Sequence, residues 1–393
     1  MPVSPLPAPR NDAHTRWTQL VRVARFDAAF VIRSPAFFVL LGLGVLNVLS
    51  ALLHRGDRYG SPSWPVTRLM VEGLQGAFVL VPVLIAIYYG GELVWRDRDR
   101  RLHEIVDATA APDWVHLLPK ILAIALVLGA CCIAGVLTGI GVQVARGYFH
   151  FDLAAYLLWF VLPTLVTCVQ LAVLSVFLQV LVPQKYVGWA LMLVYLVASM
   201  ALSSAGYEHL LYSYASTPKV PLSDMNRAGR FWVAEAWLMV YWSAGATLLV
   251  LVAYLLWRRG SLVAWRPRLR QAARRLRGGA RVALGLALAV FVTSGGWIFY
   301  NTNVLNRYRP AQARERRQAD AEKALLAYET VPQPRIVAVV LDVAIYPKET
   351  RVVTHGSYRV ENRTAAPIDV LHVGWHERLR LDTLEVPGGH LEQ

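Results

Sequence analysis

Charge is scarce in this chain, and acid scarcer than base: 17% of the 393 residues are charged, 26 acidic against 40 basic. A soluble fold carries about 25% charged residues and about 45–50% apolar ones, whereas 56% are apolar here and mean hydropathy is +0.40. That balance excludes a soluble enzyme of one or two domains. Cysteine is nearly absent: Cys131, Cys132 and Cys168 all fall inside apolar runs. A disulfide framework and a cysteine zinc site of the usual spacing are excluded, and small packing residues are the better reading. No GxxxxGK[ST] run occurs, so the chain does not hydrolyse ATP through a phosphate loop of its own.

What is present in abundance is long apolar segments. A hydrocarbon core of roughly 30 Å takes about 20 apolar residues as helix, with every backbone polar group satisfied inside the segment. Seven stretches meet that requirement: 36–53, 74–95, 117–142, 153–182, 187–205, 236–257 and 282–300. The fourth carries Pro163 and is expected to tilt or kink. Lys and Arg beside spans stay on the cytoplasmic side. The segment before the first span and the even-numbered connections hold 19 of them, the odd-numbered connections 7. The N-terminus is therefore expected in the cytoplasm and the tail from Asn301 outside it. The same asymmetry accounts for the net charge of +14 without a nucleic-acid partner. Residues 258–281, basic and without a single acid, read as a retention anchor, or as a binder of anionic lipid with Leu262, Trp265 and Leu269 dipping into the interface.

Within the spans, Cys131, Gly135 and Gly139 repeat a small residue every four positions, a face that lets another helix approach closely. Gln143, Gln170 and Gln179 need partners in hydrocarbon, and either bridge helices or line a polar path for a solute. Bridging is favoured, because no ionisable residue falls mid-span to mark an ion or proton relay.

Between the second and third spans, Leu102, Ile105, Val106 and Thr109 share one helical face while Arg100, Arg101, Glu104 and Asp107 cover the rest. A short amphipathic helix on the cytoplasmic surface is expected, either closing a loop or docking a separate protein. Residues 17–31, with Trp17, Leu20, Val21, Ala24, Ala28 and Val31 at helical spacing, predict a second amphipathic helix. This acidic-basic run, apolar-acidic helix and entry through Pro119-Lys120 resemble permease subunits of type-2 ABC exporters. The resemblance covers residues 14–257. It implies that 17–31 is the elbow helix and that Arg100, Arg101, Leu102, Glu104, Ile105 and Val106 form the coupling helix, although the Gly-Thr common in that family is an Arg pair here. It also implies a partner ATPase subunit holding the ATP, a second permease half or a homodimer, and location in a bacterial inner membrane.

Past the seventh span, 307–328 reads as a solvated spacer helix. Alternation through Val337, Val339, Leu341, Val343 and Ile345 predicts a strand, 351–360 a second and 368–373 a third, in an antiparallel sheet too small to cover its own faces. The run from Pro334-Arg335-Ile336 through Leu341-Asp342 and Tyr346-Pro347 to Tyr358 and Glu361-Asn362-Arg363-Thr364 resembles the opening of the N-terminal β-domain of aminopeptidase N family zinc enzymes. Gly91-Glu92, Trp95-Arg96, Gly188-Trp189, Pro221, Asp224-Met225-Asn226 and Gly296-Trp297 extend the likeness to fusions of a permease-like half with such a peptidase. The catalytic part is expected to be missing: His376-Glu377-Arg378-Leu379-Arg380 begins like the zinc motif and ends in Arg, and His372 with His376 would stand about 13 Å apart on a strand.

The expected chain is thus mainly helical and integral to the membrane. It has a cytoplasmic segment 1–35, a six-span permease-like domain 36–257, a basic linker 258–281, a seventh helix 282–300, a spacer 301–331 and an incomplete β-domain 332–393. No cofactor is expected on it, zinc belonging only to a missing catalytic domain. The expected function is that of a transport component without enzymatic activity. The alternative is a membrane anchor for an aminopeptidase whose catalytic domain lies elsewhere.

Overall fold

The computed structural model describes residues 12–54, 57–58, 61–62, 64–109, 111–258, 265–349, 351–375 and 379–389. The chain divides into two compact units, Met1–Ala311 and Gln312–Gln393. The first is a helical bundle: α1 Ala13–Ile32, α2 Pro35–Leu53, α3 Thr67–Ala77, α4 Leu80–Asp99, α5 His103–Asp107, α6 Trp114–Ala145, α7 Leu153–Leu181, α8 Lys185–Ser204, α9 Trp232–Leu255, α10 Trp265–Arg275 and α11 Gly279–Leu305. Six of these, α2, α6, α7, α8, α9 and α11, are long and apolar enough to cross a membrane.

The second expected span is not one straight helix. Residues 74–95 fall across α3 and α4, which are bent by 43° and make a seventh crossing only if the pair is counted together. Pro82 explains the break: its nitrogen has no hydrogen to give Phe78, so the ladder of α3 cannot run on, whereas proline is tolerated in the first turn of α4. Pro163 acts differently. It deprives the Trp159 carbonyl of its helical donor, α7 loosens into a π turn over Leu157–Val161, and Gln75 Nε2 donates to the freed Trp159 oxygen at 2.7 Å.

Helices α4, α6 and α7 form the centre, with α1 and α2 against α6, α8 against α4 and α7, and α9 between α7 and α11. Tyr89, Phe78, Tyr156 and Phe160 are fully buried there, Phe78 meeting Phe160 edge-on at 5.8 Å. Outward faces stay apolar: in α8 only Gly188 and Met192 are buried, while Leu193, Val194, Val197 and Met200 are exposed.

α1 starts at Asp12, whose side chain accepts from the Thr15 N–H at 2.9 Å. Its inner face is Leu20, Ala24, Ala28 and Val31, with Trp17 and Val21 turned outward and Asp27, absent from the expected apolar face, fully buried.

α12 Ala311–Leu325, with no buried residue, leads into the second unit, whose hairpin is β1 Arg335–Tyr346 and β2 Arg351–Glu361. The strands pair antiparallel from Tyr346 opposite Arg351 to Arg335 opposite Glu361, with a bulge between Ile336 and Ala338. The expected third strand over 368–373 is not formed. Pro367 cannot donate to a ladder, and the His372 N–H is given to Gln333 Oε1 at 3.0 Å instead. Asn362 acts as a turn former, its Oδ1 accepting the Thr364 N–H at 2.9 Å. His376, Glu377 and Arg378 lie outside the described residues.

Candidate functional site: the charged end of the bundle

One end of the bundle gathers the last turns of α4, α7 and α9, the first turns of α6 and α8, and α1, α5 and α10. The last turn of α4 sends a charge in each of four directions, because successive side chains on a helix point about 100° apart. Arg96 faces α1, where its Nη1 stands 2.6 Å from Asp27 Oδ1 without the alignment of a hydrogen bond, and its guanidinium lies over Phe26 at 5.1 Å and Phe30 at 5.3 Å. Asp97 faces α6, with Lys120 Nζ at 3.6 Å. Asp99, together with Glu92 a turn or two earlier, holds Lys185 at the start of α8, at 2.8 and 3.2 Å. Arg98 points toward α9, its Nη2 reaching the Arg258 carbonyl at 3.5 Å.

Arginines of the basic segment cap the spans. The last carbonyls of any helix lack intrahelical donors, and the macrodipole makes that end negative. Arg258 donates to the carbonyls of Leu181 and Val182 past α7, Arg268 to Val180 at 2.8 Å and Leu256 at 2.6 Å, and Arg275 to Leu255 and Trp257 at 3.2 and 2.9 Å. Arg275 also pairs with Asp113 at 2.7 Å, tying α10 to the entry of α6. Burial, and then the neighbouring charges of Arg268 and Arg98, push Arg258 down to about 10. Leu269, expected to dip into an interface, is exposed; Leu262 and the side chain of Trp265 lie outside what is described.

The expected coupling helix is shorter than the sequence pattern. Arg100 and Arg101 do not belong to it: α4 ends in a Schellman turn in which the Leu102 N–H bonds Asp97 O at 2.8 Å, the Arg101 N–H bonds Arg98 O at 3.0 Å, and Arg101 takes a left-handed φ of 57°. Leu102 caps α5, and Glu104, Ile105 and Val106 lie in it. Arg100 sits over Phe30 at 5.7 Å. Leu102 and Ile105 are 45% and 71% exposed, two apolar side chains side by side on the surface of a charged rim.

The three glutamines lie in three separate places, each hydrogen-bonded, though the buried Oε1 of Gln170 has no partner among the described residues. Gln143 Nε2 donates to Pro65 O at 2.8 Å and its Oε1 accepts from Tyr156 at 2.8 Å, joining α6 to the starts of α3 and α7 at the opposite end of the bundle. Gln170 donates to Ser243 Oγ at 3.0 Å, bridging α7 and α9. Gln179 accepts from Trp95 Nε1 at 2.8 Å and donates to the Lys185 carbonyl at 3.2 Å, at the charged end. Cys131, Gly135 and Gly139 are buried; the two glycines face the rings of Phe160 and Tyr156 in α7, where an added Cβ would stand 3.4 and 3.1 Å away. Among the described residues no three of His, Cys, Asp and Glu converge as a metal site would require.

No known family model, curated protein or solved structure matches the chain. The geometry is therefore the ground for a functional reading.

Two features escaped the sequence reading. Glycines 90, 91 and 188 mark the tightest helix crossings: a Cβ at Gly90 would strike Ser175, at Gly91 Trp189, and at Gly188 Gln179. The Gly90-Gly91 pair inside an apolar run was the available signal. The Asp27–Arg96 pair had none, since an acid amid the polar residues of 17–31 looks like solvated surface.

Proposed function

We propose that this chain is a multi-pass membrane component of an ABC type-2 transport system, permease-like, energised by a separate ATPase subunit. The observation that carries the reading is the pair Leu102 and Ile105, exposed on and beside a short helix between the bent α3–α4 pair and α6. That helix is braced on both sides. The Schellman turn fixes its link to α4, and Asp113, held by Arg275, fixes its link to α6. A push on α5 is therefore transmitted to two long helices rather than absorbed by a slack loop. The Asp27–Arg96 pair carries the same displacement to α1.

The external hairpin, exposed and apolar on the face that carries Val339, Leu341, Val343, Ile345, Val352 and Tyr358, is in keeping with a larger β-domain of which it would be the start. In this proposal the basic end of the bundle faces the cytoplasm of a bacterial cell and the hairpin faces outward. A second permease half or second copy would complete the translocation path, and no step of the reading calls for nucleic acid or for a metal on this chain. The competing reading, an anchor for an aminopeptidase, rests on the hairpin alone.

The test is co-purification with a candidate ABC ATPase subunit co-expressed with this chain. Leu102→Asp with Ile105→Asp is expected to cut recovery of the ATPase at least about tenfold, the effect of losing roughly 1.4 kcal/mol of binding, while the folded yield of this chain stays unchanged. Undiminished recovery would count against α5 as the docking element. Peptide hydrolysis by the purified 393-residue chain would favour the anchor reading instead.

A further inference from the structure

A recess opens where α4, α7 and α9 end, with Trp95, Arg98, Gln179, Trp257 and Arg258 on its walls. Its cavity volume is about 20 Å3, open on one side. A single water takes about 10–15 Å3 on that measure, so the recess admits only the outer oxygens of a small group seated at its open side. Its polar lining is one-sided in charge. Arg258 is 9% exposed; its Nη2 is committed to helix-end carbonyls, while its Nε has no partner among the described residues.

Arg98 is half-buried, and its one described hydrogen bond is the long contact to the Arg258 carbonyl. Among the described residues neither arginine makes an ion pair; Asp107 is the acid whose charge is felt at Arg98. Arg268, 2% exposed, adds a third positive charge close by. The other polar groups on the walls are spent: the Trp95 N–H is bonded to Gln179, and the Trp95 ring lies under the Arg258 guanidinium at 5.7 Å. Buried like charges are costly to hold together, and a planar guanidinium pair is well suited to phosphate oxygens. Tryptophans at the ends of apolar helices mark the depth of lipid headgroups.

We propose that Arg98 and Arg258, reinforced by the charge of Arg268, bind one phosphate group in this recess. The group is carried either by an anionic lipid headgroup or by the free ion. The inference needs the bundle to fold as described and does not need it to transport anything, so it stands or falls apart from the ATPase-docking reading.

The measurement is the unfolding temperature of the full chain in uncharged detergent, followed by tryptophan fluorescence. The probes are dioctanoyl phosphatidylglycerol against dioctanoylglycerol, which lacks the phosphate, and inorganic phosphate against chloride at equal ionic strength. Phosphatidylglycerol is expected to raise the temperature by roughly 2–4 °C, as a ligand well above its Kd does, and dioctanoylglycerol to leave it unchanged. A matching rise with inorganic phosphate identifies the free ion as sufficient; a rise with the lipid alone identifies the headgroup.

Arg98→Gln is expected to lose most of the rise and, without phosphate, to unfold at a higher temperature than the parent because repulsion is relieved. Arg270→Gln, on the exposed side of α10, is expected to keep the rise. No rise with either phosphate compound overturns the proposal. So does a rise that survives Arg98→Gln, or one that Arg270→Gln removes equally. If Arg98→Gln does not fold, Arg258→Lys, which keeps the charge and loses the fork, takes its place: a diminished rise supports the site and an intact one overturns it.

Discussion

Asp27 and Arg96 show what a single pair of residues does for this bundle. Both are buried, at 0% and 8% exposure, and they join α1 to the end of α4. Removing one partner strands the other charge, which costs about 3–5 kcal/mol in buried pairs, whereas replacing both with apolar groups of similar size costs far less. Asp27→Asn is therefore expected to lower the unfolding temperature of the detergent-purified chain markedly, and Asp27→Leu with Arg96→Met to recover most of the loss. Equal stability of the single variant and the parent would contradict the pairing. Arg101 makes the opposite prediction. It holds a left-handed φ that costs a non-glycine residue roughly 1–2 kcal/mol, so Arg101→Gly should raise the unfolding temperature; a fall would mean that the arginine side chain supports the turn. Neither residue was readable in advance. A polar residue on a short amphipathic stretch looks the same whether its face meets water or Arg96, and no composition rule assigns a left-handed turn to an Arg-Arg pair.

At the scale of elements, periodicity and proline carried most of the information. α1 and the hairpin follow from the 3.6- and 2-residue periods, and α6, α7 and α9 from the length of their apolar runs. Proline was legible as a disturbance but not in its form. Pro163 leaves α7 continuous through a π turn because Gln75 supplies the lost donor, while Pro82 parts α3 from α4. The distinction depends on what packs alongside, which one stretch of sequence does not contain. The coupling region shows the same limit. The amphipathic pattern from Arg100 to Val106 was visible, but the backbone hydrogen bonds at Asp97 and Arg98 claim Arg100 and Arg101 for the end of α4 and leave only the second half as helix. In 368–373 a strand-like pattern failed because strands exist only in pairs and the backbone there is otherwise engaged.

The described residues of the first unit form a bundle with six long apolar helices and one broken pair, with arginine gathered at one end of it. The arginines were read as topology markers, and in the fold they also cap the carbonyl ends of α7 and α9. That second role explains why the basic segment holds arginine throughout and no lysine between 258 and 281: a planar fork reaches two carbonyls at once. The proposed ATPase docking at α5 requires this end to lie in the cytoplasm. Limited trypsin digestion of intact spheroplasts, followed by mapping of the cut sites, tests that placement most directly. The account predicts cleavage within the hairpin of residues 335–361 and protection of the arginines of α10 until the membrane is breached. Cleavage in α10 with the hairpin left whole would contradict it.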